Sequence, residues 1–286
     1  MKVIVLGASG LIGSYMFNEL SKKFETIGTI RKSKTDHENI KLFKSDNIID
    51  KIDILNLDKL INLFQNLKPD VIVNCIGVTK RKITENVLDV IKINSIFPHE
   101  LAKWGSNNSA KIIHFSTDCV FNGLEGNYNE KSNTNAFDIY GKTKALGEIQ
   151  YKNSLTIRSS FIGRELFDKI ELLEWVISNN GKKIKGFKKT MYSGVSALFL
   201  SKLIKDIIIN HSKINGLYQL SYDTPISKYD LLCLIRDCFK LNLEIIPENN
   251  KSHCPTLDSS KLKNKINFDI PSWKDMLTEL KNNKIN

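Results

Sequence analysis

Gly7-Ala8-Ser9-Gly10-Leu11-Ile12-Gly13 lies between a short apolar run over residues 2–6 and an amphipathic stretch over 11–22. The run reads as a buried strand. The stretch reads as a helix with Leu11, Tyr15, Phe17 and Leu20 as its apolar anchors. Each glycine meets a physical demand. Gly7 permits a tight turn, Gly10 lets backbone approach a pyrophosphate, and Gly13 lets helix and strand pack closely. Ser9, Leu11 and Ile12 stand at the opening of the helix, where free N–H groups and the positive dipole end favour phosphate. The spacing is GxxGxxG, not the commoner GxGxxG. Its placement between strand and helix favours a dinucleotide-binding turn over an ordinary strand–helix connection.

Outward from this turn, strand and helix signals alternate. Strands are expected over 26–30, 70–76, 110–115 and 155–158. Helices are expected over 57–67, ended by Pro69, over 84–105 with a bend near Pro98, and over 138–151. Residues 121–136 are Gly/Asn-rich and read as a surface loop. Repeated βα units imply an α/β fold, a doubly wound parallel sheet of the Rossmann type. The second half is less regular, with helices over 166–180, 195–210, 228–239 (capped by Ser227) and 272–281, and strands over 217–220 and 243–246. Residues 1–160 are read as the dinucleotide-binding domain, with 195–220 returning to it. Residues 161–194 and 221–286 are read as a small C-terminal substrate-binding lobe.

The expected second strand ends Thr29-Ile30-Arg31-Lys32. An acidic residue there would bind the ribose 2′-OH of NAD, whereas Arg31 and Lys32 suit the 2′-phosphate of NADPH. The plainer alternative is two surface cations. Asp53 and Ile54 close a third strand region near where an adenine would lie, although Asp53 also fits a surface turn. Asn74-Cys75-Ile76-Gly77 ends the next strand, and Gly77 lets backbone pass close to a cofactor ribose.

The chain has 286 residues, 41% hydrophobic and 26% charged, which fits a globular protein and excludes disorder. The best candidate span, 197–209, is broken by Lys202, Lys205 and Asp206, so no membrane segment is expected. The apolar stretch at 3–6 is too short for a signal peptide. Cys75, Cys119, Cys233, Cys238 and Cys254 form no CxxC pair, which points to reduced thiols in the cytoplasm. The net charge of +11 is spread along the chain and argues against nucleic acid, while favouring polyanionic small molecules. His253 beside Cys254 lacks further ligand-spaced partners, so no metal is expected. His114 reads as a core histidine.

Tyr140-Gly141-Lys142-Thr143-Lys144 opens a helix, and four-residue spacing puts Tyr140 and Lys144 on one face. A nearby ammonium is expected to lower the tyrosine pKa, so that Tyr140 can protonate a carbonyl oxygen as hydride arrives at its carbon. Upstream, Ser116, Thr117 and Asp118 sit at the carboxyl end of a strand, where doubly wound folds bind ligands. Thr117 is placed to hydrogen-bond the substrate oxygen.

With these segments the chain resembles the extended short-chain dehydrogenase/reductases, and within them the dTDP-4-dehydrorhamnose reductase group. The resemblance rests on GASGLIG at Gly7, DVIVNCIG at Asp70, HFSTDCVFNG at His114, YGKTKALGE at Tyr140, RSSFIGRE at Arg158 and ISKYDLL at Ile226. It implies Thr117, Tyr140 and Lys144 as the catalytic set and a structural asparagine at Asn94. Where such reductases usually carry an NAAA-type segment followed by acidic residues, this chain has Asn74-Cys75-Ile76-Gly77 followed by Lys80-Arg81-Lys82. With Gly163-Arg164-Glu165 and Ser193-Gly194, that pattern is similar to relatives that reduce UDP-linked 2-acetamido-6-deoxy-4-ketohexoses. Thr79, Thr117, Asp118, Val120, Arg164 and Ser193 are the candidate sugar-nucleotide contacts, with Arg164 able to grip a diphosphate or to form a surface ion pair.

The resemblance therefore implies an NADPH-dependent reductase of a nucleotide-linked 4-keto-6-deoxyhexose, made for surface polysaccharide. It leaves a homodimer open. Two rivals stand beside it: an epimerase or dehydratase recycling tightly held NAD, and a non-catalytic regulatory subunit on the same fold.

Overall fold

In the computed structural model, which describes residues 1–37, 40–83 and 86–283, the first strand is β1 (Lys2–Leu6), and Val3 to Leu6 have no exposed surface. A run of this kind, apolar on both faces, belongs inside a parallel sheet. It is followed by α1 (Leu11–Leu20), β2 (Glu25–Thr29), β3 (Ile48–Ile49), α2 (Leu57–Leu67) and β4 (Val71–Asn74). α2 stops at Lys68, which takes the left-handed conformation at φ 47° ahead of Pro69. Its buried Leu60 and Phe64 pack with Ile54.

The expected helix over 84–105 is interrupted. Thr84 and Glu85 lie outside the described residues. Beyond them come α3 (Val87–Ile91), a π turn at Lys92–Ile96 and α4 (Phe97–Asn107). The cause is Pro98, which has no N–H to give the carbonyl four residues back, that of Asn94. The helix widens, and Phe97 N–H bonds Lys92 O instead.

β5 (Lys111–Ser116), α5 (Ile139–Leu146) and β6 (Ser154–Arg158) follow. α5 ends five residues before the expected position 151, because Gly147 fits against the π turn. A Cβ there would stand 1.9 Å from Asn94 O. Residues 121–136 are not merely a surface loop. Phe121 stacks on Tyr128 at 4.1 Å, and Tyr128 pairs in parallel with Leu257.

The second half comprises β7 (Phe161–Ile162), α6 (Leu172–Ser178), β8 (Lys183–Phe187), β9 (Met191–Tyr192), β10 (Val195–Ser196), α7 (Ala197–Asn210) and β11 (Gly216–Gln219). It ends with β12 (Ile226–Ser227), α8 (Lys228–Phe239), β13 (Glu244–Glu248), α9 (Ser260–Ile266) and α10 (Trp273–Asn282). Ser227 caps α8, its hydroxyl accepting from Asp230 N at 3.0 Å. The helix expected over 166–180 is only α6.

Seven strands form one parallel sheet in the order β11-β6-β5-β4-β1-β2-β3. The order reverses beside β1, so the carboxyl ends of β1 and β4 bound the crevice in which such folds hold ligands. Ile4, Leu6, Phe64, Ile72, Leu101 and Ile112 fill one side of the sheet. On the other side, Val3 and Val5 begin a continuous core that passes through Tyr15, Leu200 and Ile204 to Leu231, Met276 and Leu280. α7 packs on α1, and Lys205 reaches the buried Glu19 carboxylate at 2.9 Å.

Candidate active site

The glycine turn is built as its spacing requires. Gly7 has φ 77°, open to glycine at little cost. A Cβ on Gly13 would sit 2.0 Å from Gly7 O, so only glycine lets α1 start this close to the strand. Gly10 N bonds Gly7 O at 2.9 Å, and the first N–H groups of α1 open toward the crevice.

A cleft of about 420 Å³ occupies the switch point. Gly10, Leu11 and Ile12 line it from the turn, Cys75, Ile76, Gly77 and Thr79 from the end of β4, and Thr117 and Asp118 from the end of β5. Tyr140 and Lys144 enter from α5. The structure thus brings together the glycine turn and the Thr–Tyr–Lys set. Asp138 caps α5 through Gly141 N at 2.8 Å, and that cap aims Tyr140 inward.

Thr117 Oγ1 donates to Asp118 Oδ1 at 3.0 Å and accepts from Cys119 N at 3.1 Å. Burial pushes the Tyr140 phenol well above its ordinary pKa, Cys119, Asp118 and Glu171 add to that, and a hydrogen bond with Thr117 opposes it. The sequence led to the expectation of a lowered value. The reason for the difference is burial of the phenol, which Lys144 does not offset: its Nζ donates instead to Phe115 O at 2.6 Å on β5. Burial brings Lys144 down to about 8, with Glu148 opposing. Asp118 is buried and its carboxyl is pushed up by desolvation, against hydrogen bonds and the nearby Lys228.

Asn94 is fully buried in the π turn. Its Oδ1 accepts from Val78 N at 2.8 Å and its Nδ2 donates to Val78 O at 3.0 Å, which fixes the segment carrying Gly77. It does not line the cleft.

Several other sequence candidates sit elsewhere. Val120 has no exposed surface and packs with Phe121, Tyr128 and Leu257. Arg164 is engaged by Glu174, Nε to Oε1 at 2.5 Å, and not turned to the cleft as a free fork. Ser193 is buried, and its hydroxyl accepts from Leu257 N at 3.2 Å. Asp53 holds its own turn by accepting from Leu55 N at 3.0 Å, and Ile54 is in the core. Arg31 and Lys32 are exposed beyond β2, outside the cleft lining. Arg31 makes no side-chain hydrogen bond or ion pair among the described residues, while Lys32 acts on Asp168.

The cleft also takes residues that the sequence did not mark as candidate contacts: Ser160, Phe161, Glu165, Glu171, Tyr192 and Lys228. Ser160, Phe161, Glu165 and Lys228 lie in the segments at Arg158 and Ile226 that carry the family resemblance, whereas no motif covers Glu171 or Tyr192. Sharing Arg81, Leu172 and Lys228 with the cleft is a second groove of about 180 Å³. Trp175, Lys185, Phe187, Thr190, Leu232 and Lys251 form the rest of its wall. Among the described residues no group of His, Cys, Asp or Glu is arranged to hold a metal, and no helix is long and apolar enough to cross a membrane.

A doubly wound parallel sheet, a glycine turn after its first strand and a Thr–Tyr–Lys set at the switch point define a Rossmann-fold protein of the extended short-chain dehydrogenase/reductase class. The chain belongs to the RmlD substrate binding domain family, whose model matches residues 1–285. It is 27% identical over 197 residues to dTDP-4-dehydrorhamnose reductase of Aggregatibacter actinomycetemcomitans, covering 65% of this chain and 67% of that protein. It is 25% identical over 260 residues to methionine adenosyltransferase 2 subunit beta of Bos taurus, covering 84% and 72%. A solved dTDP-4-dehydrorhamnose reductase of Bacillus anthracis in complex with NADP superposes with a TM-score of 0.80 at 21% identity, covering 98% of each chain.

Proposed function

We propose that the protein is an NADPH-dependent reductase of the C4 ketone of a nucleotide-linked 4-keto-6-deoxyhexose, serving surface polysaccharide synthesis. One observation carries the reading: Thr117, Tyr140 and Lys144 line the same cleft as the glycine turn and Gly77. The turn fits a dinucleotide, because Gly13 leaves room for α1 to bring its free N–H groups to a pyrophosphate. Arg31, with no partner of its own among the described residues, fits a 2′-phosphate. The solved relative bound to NADP supports the same choice. Bound there, the nicotinamide supplies hydride to the ketone carbon.

The chain's own residues do the rest. Tyr140 gives its phenolic proton to the ketone oxygen, and Thr117 hydrogen-bonds that oxygen. The second groove, with lysines beside Trp175 and Phe187, suits a nucleoside diphosphate, charge for the phosphates and a ring face for the base. The sequence pattern around Lys80-Arg81-Lys82 favours the UDP-linked 2-acetamido sugar over dTDP-4-dehydrorhamnose. Five free thiols agree with a cytoplasmic enzyme. The purified protein, offered each keto-sugar in turn, is expected to oxidise NADPH with one of them. Oxidation with neither, or an undiminished rate in Tyr140→Phe, sinks the proposal.

A second reading, a subunit bound to another enzyme, is favoured by the likeness to methionine adenosyltransferase 2 subunit beta. A partner enzyme retained through purification, together with no turnover, would support it.

A further inference from the structure

Behind the cleft, Asn74 at the end of β4, His114 on β5 and Lys144 on α5 form a buried chain of polar contacts, each member 6% exposed or less. The amide of Asn74 has its orientation set. Its Oδ1 accepts the N–H of Ile76 at 3.1 Å. Its Nδ2, which can only donate, therefore faces His114 Nδ1 at 3.1 Å, and Nδ1 must accept. A neutral imidazole that accepts at Nδ1 carries its proton on Nε2. Burial, aided by Lys144 and by His99 of α4, holds His114 well below its ordinary pKa and so keeps it neutral.

Nε2 lies 3.4 Å from Lys144 Nζ. An ammonium offers donors alone, so a charged Lys144 sets N–H against N–H at this contact. A neutral amine has a lone pair to accept the Nε2–H. We propose that Asn74 and His114 form a tautomer lock that holds a hydrogen-bond donor against Lys144 and favours its neutral amine. Other groups around Lys144 do not undo this. Glu148, on the turn after α5, is occupied by Arg158 of β6 and by Ser116 of β5. Gly77, across the cleft wall, brings no charge; a Cβ there would lie 3.9 Å from Nζ. Burial acts in the same direction, bringing Lys144 down to about 8.

The catalytic consequence rests on the reductase reading. Once Tyr140 has passed its proton to the ketone oxygen, the Lys144 ammonium replaces that proton through solvent in the cleft. One N–H bond breaks and the phenol O–H reforms. The amine left behind accepts from His114. Asn74 and His114 touch neither substrate nor reacting atoms and act as positioning residues.

The test needs no turnover, so its failure is separable from that of the reductase reading, which NADPH oxidation reports. Long-range 1H–15N correlation of the labelled whole protein, with His114 assigned by its loss in His114→Gln, reads the tautomer directly. The expected result is a neutral ring protonated at Nε2 between about pH 6 and 9. A proton on Nδ1, or a titration in that range, overturns the lock. In Asn74→Leu the lock is released without new charge, and the 13Cε titration of Lys144 is expected to rise by roughly one pH unit. An unchanged titration in a folded Asn74→Leu also overturns it. If that variant does not fold, the wild-type tautomer decides.

Discussion

Arg158 grips Glu148 with two prongs, Nε and Nη2 each 2.7 Å from a carboxylate oxygen, and the two side chains are 3% and 8% exposed. Ser116 Oγ adds a third bond to the same carboxylate, and the guanidinium lies 5.1 Å from the centre of the Phe121 ring. The pair ties β5 and β6 to the turn that ends α5, directly behind Lys144. Its Nη1 already has no partner among the described residues. Glu148→Ala is therefore expected to strand a buried cation and cost about 3–5 kcal/mol in urea unfolding. The double change Glu148→Leu with Arg158→Met should cost clearly less. Equal losses in the two proteins would mean that the grip is not what holds this corner.

The glycine turn separates folding from binding at two positions. A Cβ at Gly13 meets Gly7 O at 2.0 Å, whereas one at Gly10 has nothing nearer than the same oxygen at 3.4 Å. Gly13→Ala should push α1 off the strand and destabilise by about 1–3 kcal/mol. Gly10→Ala should leave the melting temperature near wild type, yet weaken NADPH binding measured by fluorescence titration. Identical melting temperatures for the two variants would contradict the packing argument.

The turn was legible because its requirements are local: strand, glycines and helix occupy residues 2–20 without help from the rest of the chain. The same holds for Thr117 at a strand end and Tyr140 and Lys144 on one helix face. What the sequence hid depends on distant partners. β8 alternates exposed and buried residues over Lys183–Phe187 and is only a strand because β13 pairs with it some sixty residues later. The π turn follows from Pro98, but which way the helix yields is decided by Gly147 packing on Asn94. Arg164 offered a fork by composition, and Glu174 took it. Glu171 and Tyr192 reach the cleft from segments that no motif covers.

Cofactor preference should reside in Arg31, which is exposed and without a side-chain partner among the described residues. A charge-assisted bond to a 2′-phosphate contributes about 1.5–3 kcal/mol, so Arg31→Ala is expected to raise the KM for NADPH roughly 10- to 100-fold. The KM for NADH should barely move. Steady-state kinetics with both coenzymes give the ratio. An unchanged ratio would put the 2′-phosphate on other side chains, with Lys32 the next to change.

Lys144 should also leave a mark on the stability curve. Its folded pKa, about 8, lies below the ordinary lysine value of 10.5. Below about 8 the folded state must bury an ammonium that the unfolded chain keeps in water, so the full penalty is present there. Between about 8 and 10.5 the folded protein releases that proton first, the unfolded state binds more protons, and stability gains with rising pH. The gain from this one group is up to about 3 kcal/mol. Lys111, half-buried and also brought down to about 8, acts in the same window, so the total curve does not isolate Lys144. The difference between wild type and Lys144→Met does. Denaturant unfolding of both proteins between pH 7 and 10.5, endpoints chosen from the two pKa values, should show the variant gaining relative stability at the low end. That advantage should vanish at the high end, and a pH-independent difference would mean that Lys144 is charged in the folded protein throughout.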